Sequence, residues 1–211
     1  MCGEYACGKT SIISRYTSNT FSPNYKLTIG VDFTLKVLEH KGESVKLQLW
    51  DISGSERYGS MTRAYYKHCI AAVIVYDITR EPTFEAVIKW KRDIDSKVML
   101  ANGDPVPTLL LANKADLGSV PNPDELDRYC AENGFIGWFA TSAREDIGIN
   151  DAFARLTDEI LEVSAKNIPQ DAPTGIVSLV GAETPASQRP GPGNGGAAGD
   201  HSDSSAKKCC A

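Results

Sequence analysis

Apolar positions along the first 166 residues follow two alternating periods. Residues 31–39 and 45–51 read as extended runs, with Lys41-Gly42-Glu43 between them as a hairpin turn. Residues 69–76 (CIAAVIVY) and 108–112 (TLLLA) are almost continuously apolar, as in strands covered on both faces. Between those runs Phe84, Val87, Ile88, Lys91, Ile94 and Val98 recur at helical spacing, Lys91 laying its stem along the stripe. Residues 124–133 fit a helix that Gly134 ends, and 138–141 a short strand. Ile149, Phe153, Leu156, Ile160 and Val163 mark a last amphipathic helix. Strands alternating with helices predict an α/β fold, a mostly parallel central sheet with helices on both faces. The pattern stops near Asn167. Beyond it, Pro169, Pro173, Pro185, Pro190, Pro192 and many glycines accompany small polar residues, which bury too little surface to repay their ordering entropy. The expected organisation is a folded domain over 1–166 and a flexible tail over 167–211.

Composition narrows the class. With 42% hydrophobic and 23% charged residues, the 211-residue chain suits one globular domain plus appended sequence. Six cysteines without a closely spaced framework indicate a reducing compartment, and His40, His68 and His201 are too scattered for a zinc site. A formal charge of −5 with no long basic run argues against nucleic acid. No apolar stretch approaches the roughly 20 residues that span a bilayer, so membrane attachment requires another device.

The segment Gly3-Glu4-Tyr5-Ala6-Cys7-Gly8-Lys9-Thr10 matches G-x-x-x-x-G-K-[ST]. Such a loop turns successive N–H groups toward phosphate oxygens, with Lys9 reaching the β- and γ-phosphates and the Thr10 hydroxyl placed on Mg²⁺. Ser11 opens the following helix, whose N-terminus favours an anion. A phosphate loop should leave a buried central strand, yet only Met1 and Cys2 precede Gly3. The first strand is therefore expected to be missing from this chain, at a cost exceeding the roughly 5–15 kcal/mol stability of a domain unless another segment fills the gap.

Leu47-Gln-Leu-Trp-Asp51-Ile-Ser-Gly54 is an alternating strand ending in D-x-x-G. Asp51 is placed to hold a magnesium water, and Gly54, lacking Cβ, can approach the γ-phosphate. Upstream, Thr28 can complete magnesium coordination when a γ-phosphate is present, ordering its loop. Asn113-Lys114-Ala-Asp116 closes a buried strand. Guanine presents a ring N–H and an amino group as adjacent donors, and Asp116 can accept from both; adenine would leave that carboxylate unpaired. Lys114 can lie along the base, while Asn113 can tie this loop to the phosphate loop. In Thr141-Ser142-Ala143, with Arg144 beside it, a backbone N–H can turn toward the guanine carbonyl, and Phe21 can cover the base. The predicted ligands are GTP or GDP with Mg²⁺.

These motifs, in this order and spacing, resemble the small GTPases of the Rab family over approximately residues 3–165. Lys9-Thr-Ser-Ile-Ile, Gly30-Val-Asp-Phe, Phe84-Glu-Ala-Val-Ile-Lys-Trp-Lys and Gly134-Phe-Ile-Gly-Trp-Phe resemble the subgroup serving lysosome-related organelles. The resemblance implies a P-loop GTPase fold and a switch on the cytoplasmic face of endomembranes. It implies an exchange factor, a GTPase-activating protein, GTP-dependent effectors, a prenylation escort and a GDP-dissociation inhibitor. It makes Phe33, Trp50 and Tyr65 the aromatic trio of the effector surface.

Two departures stand out. Where the family usually reads D-x-A-G-Q-E, this chain reads Asp51-Ile-Ser-Gly-Ser55-Glu56, so the water-orienting glutamine is replaced by a shorter hydroxyl and weak intrinsic turnover is expected. Tyr5 is bulkier than the residue often found there, and either restricts access to the γ-phosphate or lies over solvent. Lys207-Lys-Cys209-Cys210-Ala211 resembles the double-cysteine Rab tail that receives two geranylgeranyl groups, and does not fit C-a-a-X. The leading expectation is a membrane-tethered GTPase with Lys9, Thr28, Gly54 and Ser55 at the reacting end. A GTP-binding scaffold with little hydrolysis and an inactive truncated fragment stay open.

Overall fold

The computed structural model describes residues 1–55, 62–66 and 69–167. Gly8, at φ 95°, launches α1 (Lys9–Ser18), and Asn19 in the left-handed region ends it by donating its N–H to the Arg15 carbonyl. Next come β1 (Val31–His40) and β2 (Glu43–Ile52), antiparallel in unbroken register from Val31↔Ile52 to His40↔Glu43. Lys41 (φ 50°) and Gly42 (φ 83°) close this hairpin with the left-handed pair that suits strand twist.

After α2 (Thr62–Tyr66) the chain alternates strand and helix. β3 (Ala72–Asp77), α3 (Glu81–Glu85), α4 (Val87–Lys97), β4 (Thr108–Asn113), α5 (Pro123–Glu132), β5 (Gly137–Thr141) and α6 (Ile149–Asn167) follow in turn. β4 lies between β3 and β5, parallel to both, and every residue of β3 and β4 is buried. The single helix predicted over 84–98 is two helices meeting at Ala86. α3 begins around Pro82, whose preset φ suits a first turn, and the Ala86 carbonyl starts α4 by accepting from Lys89 and Trp90. Cys69 and Ile70, read as strand, pack against the core ahead of β3 instead. Among the described residues no helix is long and apolar enough to cross a membrane.

The fold class predicted from the pattern is present, and ahead of the phosphate loop Cys2 forms a single parallel bridge to Ile74. Among the described residues, Met1 and Cys2 carry backbone hydrogen bonds from the β1–β2 ribbon to the β3–β4–β5 sheet. Cys2 donates to the Val73 carbonyl at 2.8 Å and accepts from Val75 at 2.9 Å, while Met1 accepts from Ile52 at 3.1 Å and donates to Trp50 at 2.6 Å. Beside them lies a cavity of about 140 Å³ lined by Leu47, Leu49, Ile52, Val73 and Phe153. Two residues thus hold the mouth of the phosphate loop to its neighbours, and an apolar space lies alongside.

Alternation along β3 sends Ile74 and Tyr76 to one face with Val87, Trp90, Ile94 and Leu110, and Val73 and Val75 to the other with Ile12, Tyr16, Phe153 and Leu156. On the second face the Tyr16 and Phe153 rings stack with centroids 3.9 Å apart and planes within 7°. This pins the helix after the phosphate loop to α6. Phe153→Ala should cost about 3–5 kcal/mol, read as a lowered urea midpoint with unchanged slope. A midpoint shift worth under about 1 kcal/mol would show that the stack does not hold α1.

Candidate functional site

The carboxyl ends of β3, β4 and β5 converge with the turn after Cys2, where parallel sheets place their ligands. The cleft there has a volume of about 460 Å³. Its wall includes Tyr5, Ala6, Gly8, Lys9, Thr10, Ser11, Phe21, Thr28, Gly54 and Lys114. The phosphate loop is tightly seated. Gly3 has φ 137°, and a Cβ there would lie 2.1 Å from the Val75 carbonyl oxygen; at Gly8 it would lie 2.3 Å from Asn113 Nδ2. Lys9 is buried, donating from Nζ to the Gly3 and Glu4 carbonyls at 2.9 Å each. Burial pulls its pKa below the usual lysine value, a strain that an anionic phosphate would relieve.

Three elements meet at the end of the cleft. The Thr10 hydroxyl donates to Asp51 Oδ2 and lies 2.9 Å from Thr28 Oγ1, and Thr28 donates to the same carboxylate oxygen at 3.2 Å. Asp51 is 4% exposed, and its Oδ1 has no hydrogen-bond partner among the described residues. A buried carboxylate with one unsatisfied oxygen beside two hydroxyls is a hard-oxygen donor set, which fits Mg²⁺. Gly54 presses on the phosphate loop so closely that a Cβ would lie 2.3 Å from the Tyr5 nitrogen. Ser55 turns away. Its exposed side chain lies 2.9 Å from Ser53 Oγ and does not line the cleft.

At the other end, Asn113 donates from Nδ2 to the Cys7 carbonyl at 2.7 Å and accepts from Thr141 at 3.2 Å. The two loops are thereby joined across 106 residues of chain. Asp116 Oδ1 accepts from Ser142 Oγ at 2.6 Å, and the Ala115 N–H donates to the Thr141 carbonyl at 3.0 Å.

The Ras family sequence model matches residues 1–162. Rab-32B of Dictyostelium discoideum is 59% identical over 171 residues, covering 80% of this chain and 66% of that protein. Human Rab-32 is 52% identical over 172 residues, 80% of this chain and 76% of that protein. Human Rab-7L1 is 49% identical over 168 residues, 79% and 83% respectively. The chain belongs to the Rab family of small GTPases. Rab proteins are GTP-hydrolysing switches of vesicle and organelle traffic that bind guanine nucleotide with Mg²⁺ and act at endomembranes.

The remaining predicted residues of this Rab divide by position. Phe33 and Trp50 are register partners on the outer face of the β1–β2 ribbon, 61% and 41% exposed, with ring centroids 5.7 Å apart. Tyr65 is half-buried against the core. Ala143 is buried, whereas the exposed Arg144 side chain pairs with Glu145 at 3.3 Å and does not line the cleft. Cys209 and Cys210 lie outside the described residues.

Three residues that the motifs did not mark also shape the site. Arg15 donates to the Ala143 carbonyl at 2.9 Å and the Arg144 carbonyl at 3.1 Å, bracing the base-side turn from α1. Asp77, 1% exposed, closes β3 opposite Asn113 and takes Lys114 Nζ at 2.6 Å and Arg80 Nε at 2.9 Å. Burial alone would raise its pKa, but hydrogen bonds from Lys114, Thr79 and Arg80 outweigh it and hold the carboxyl below its usual value. A charged residue ending the apolar run 69–76 was the available signal for Asp77; for Arg15 and Arg80 the sequence offers none.

Asp51→Asn keeps the shape of the Thr10–Thr28–Asp51 corner and removes its charge. The Mg²⁺ concentration that half-maximally retains fluorescent GDP should then rise at least about tenfold, the effect of a lost charged ligand. An unchanged titration would place the metal elsewhere.

Proposed function

We propose that this chain is a guanine-nucleotide switch with slow intrinsic turnover, tethered to an endomembrane by lipids on Cys209 and Cys210. The observation that carries the reading is the Asn113–Cys7 hydrogen bond, which makes base recognition and phosphate binding one unit. In this reading Asp116 accepts the guanine donors, Lys114 and Phe21 flank the base, and a backbone N–H of the Ser142–Ala143 turn faces its carbonyl, with Arg144 at the rim. Backbone N–H groups of the 3–10 loop, together with Ser11 and Lys9, hold the phosphates. Thr10, Thr28 and Asp51 would hold Mg²⁺, which when bound supplies positive charge beside the β/γ-phosphate oxygens. Thr28, already against Thr10 and Asp51, is placed to sense the γ-phosphate, and Gly54 can approach it without a side chain in the way.

Hydrolysis needs a water aligned with the γ-phosphate. Ser55 has no amide to orient it, and its hydroxyl is engaged with Ser53. The unassisted rate is therefore expected at or below the roughly 10⁻⁴ per second of related switches, with an activating protein supplying the missing groups. Exchange factor, effectors at Phe33, Trp50 and Tyr65, prenylation escort and GDP-dissociation inhibitor complete the cycle. Two prenyl chains anchor stably where one binds marginally, and Lys207 and Lys208 assist at an anionic leaflet. The folded domain ends near residue 166, and the tail beyond it serves as the tether.

The Ser53–Ser55 contact also favours a second reading, a persistent GTP-bound scaffold whose hydrolysis stays low even with an activating protein. Single-turnover hydrolysis by the full chain, with and without an activating protein, separates the two. Ser55→Gln should raise the unassisted rate more than about twofold, restoring part of what the family glutamine contributes. A smaller change would show that position 55 does not limit turnover.

A further inference from the structure

A loop that turns its N–H groups toward phosphate turns its carbonyls away from it, and a donor held against each carbonyl fixes the loop's shape. In this chain Lys9 serves the Gly3 and Glu4 carbonyls and Asn113 serves Cys7. Both belong to the nucleotide motifs. The Tyr5 carbonyl is served by Arg80, whose Nη2 donates at 2.8 Å from the turn after β3.

That arginine is itself held. Its Nε donates to Asp77 at 2.9 Å, and its own carbonyl accepts from the Thr83 hydroxyl at 2.7 Å. Thr83 Oγ1 also accepts the Asp77 N–H at 3.0 Å, which locks the turn carrying Arg80. The guanidinium lies 5.7 Å from the centroid of the Tyr5 ring, so the exposed ring is gathered beside Arg80. Asp77 takes Lys114 of the base loop at 2.6 Å as well. One buried carboxylate therefore touches both halves of the site, directly through Lys114 and through Arg80 at Tyr5.

We propose that Arg80 is a positioning residue that holds the phosphate loop in its binding shape by anchoring the Tyr5 carbonyl to Asp77. This rests on the guanine-nucleotide reading of the cleft. The planar fork is essential to the role, because one donor must meet a carboxylate while another meets a carbonyl at fixed separation; a lysine amine at position 80 can satisfy one partner well but not both.

The test compares two fluorescent nucleotides on the full chain. GDP has the β-phosphate that such a loop wraps, and GMP lacks it. Arg80→Ala should speed GDP dissociation about tenfold, the effect of losing a charged hydrogen bond, while GMP affinity changes less than about twofold. Arg80→Lys should fall between the parent and Arg80→Ala for GDP, and match the parent for GMP. Equal weakening for both nucleotides would mean that Arg80 merely supports the fold, and an unchanged GDP rate would mean that the anchor is idle; either overturns the proposal. Should Arg80→Ala fail to fold, as seen by loss of a cooperative melt, the Arg80→Lys pair of measurements decides by the same criterion. Failure of the unaltered chain to bind either nucleotide would instead overturn the nucleotide reading beneath it.

Discussion

The site depends on the donors that meet the carbonyls of the phosphate loop. A buried carbonyl without a donor costs on the order of 1–3 kcal/mol, and the Gly3 and Cys7 carbonyls meet their donors in buried positions. The Asn113 side chain settles one of them at Cys7, and Gly8 has no Cβ because that amide occupies the space. The tight seat of the loop and the placement of the base-reading strand are therefore the same constraint. Thr141, donating to Oδ1 of the Asn113 side chain, extends it to β5.

The residues just before the loop obey the same constraint. Met1 and Cys2 meet both neighbouring strands at the point where the chain turns into Gly3, so the loop's origin is pinned by backbone hydrogen bonds on either side. The apolar cavity between Leu47 and Val73 bears on stability more than on the geometry of the cleft.

Legibility in the sequence followed the range of the interactions. Gly3, Gly8, Lys9, Thr10, Asp51, Asn113 and Asp116 announce themselves through local spacing, and the structure brings Thr10, Thr28 and Asp51 to one point as that spacing suggests. Most strands and helices were equally readable, since period follows from which face is buried, although nothing in the pattern marked α2. Arg15 and Arg80 were not, because their partners lie 128 and 75 residues away and a lone arginine near a helix end looks like an ordinary surface cation. The break at Ala86 was hidden by an apolar stripe that runs through it without interruption. Tyr5, left between two readings, lies 58% exposed beside Arg80.

The most direct test of a base loop locked to a phosphate loop is competition for bound fluorescent GDP on the purified full chain. The account predicts that GTP displaces it at near-equal concentration, whereas ATP at about a thousandfold excess does not, since adenine leaves the Asp116 carboxylate unpaired. Displacement by ATP within about tenfold of the GTP concentration would contradict it.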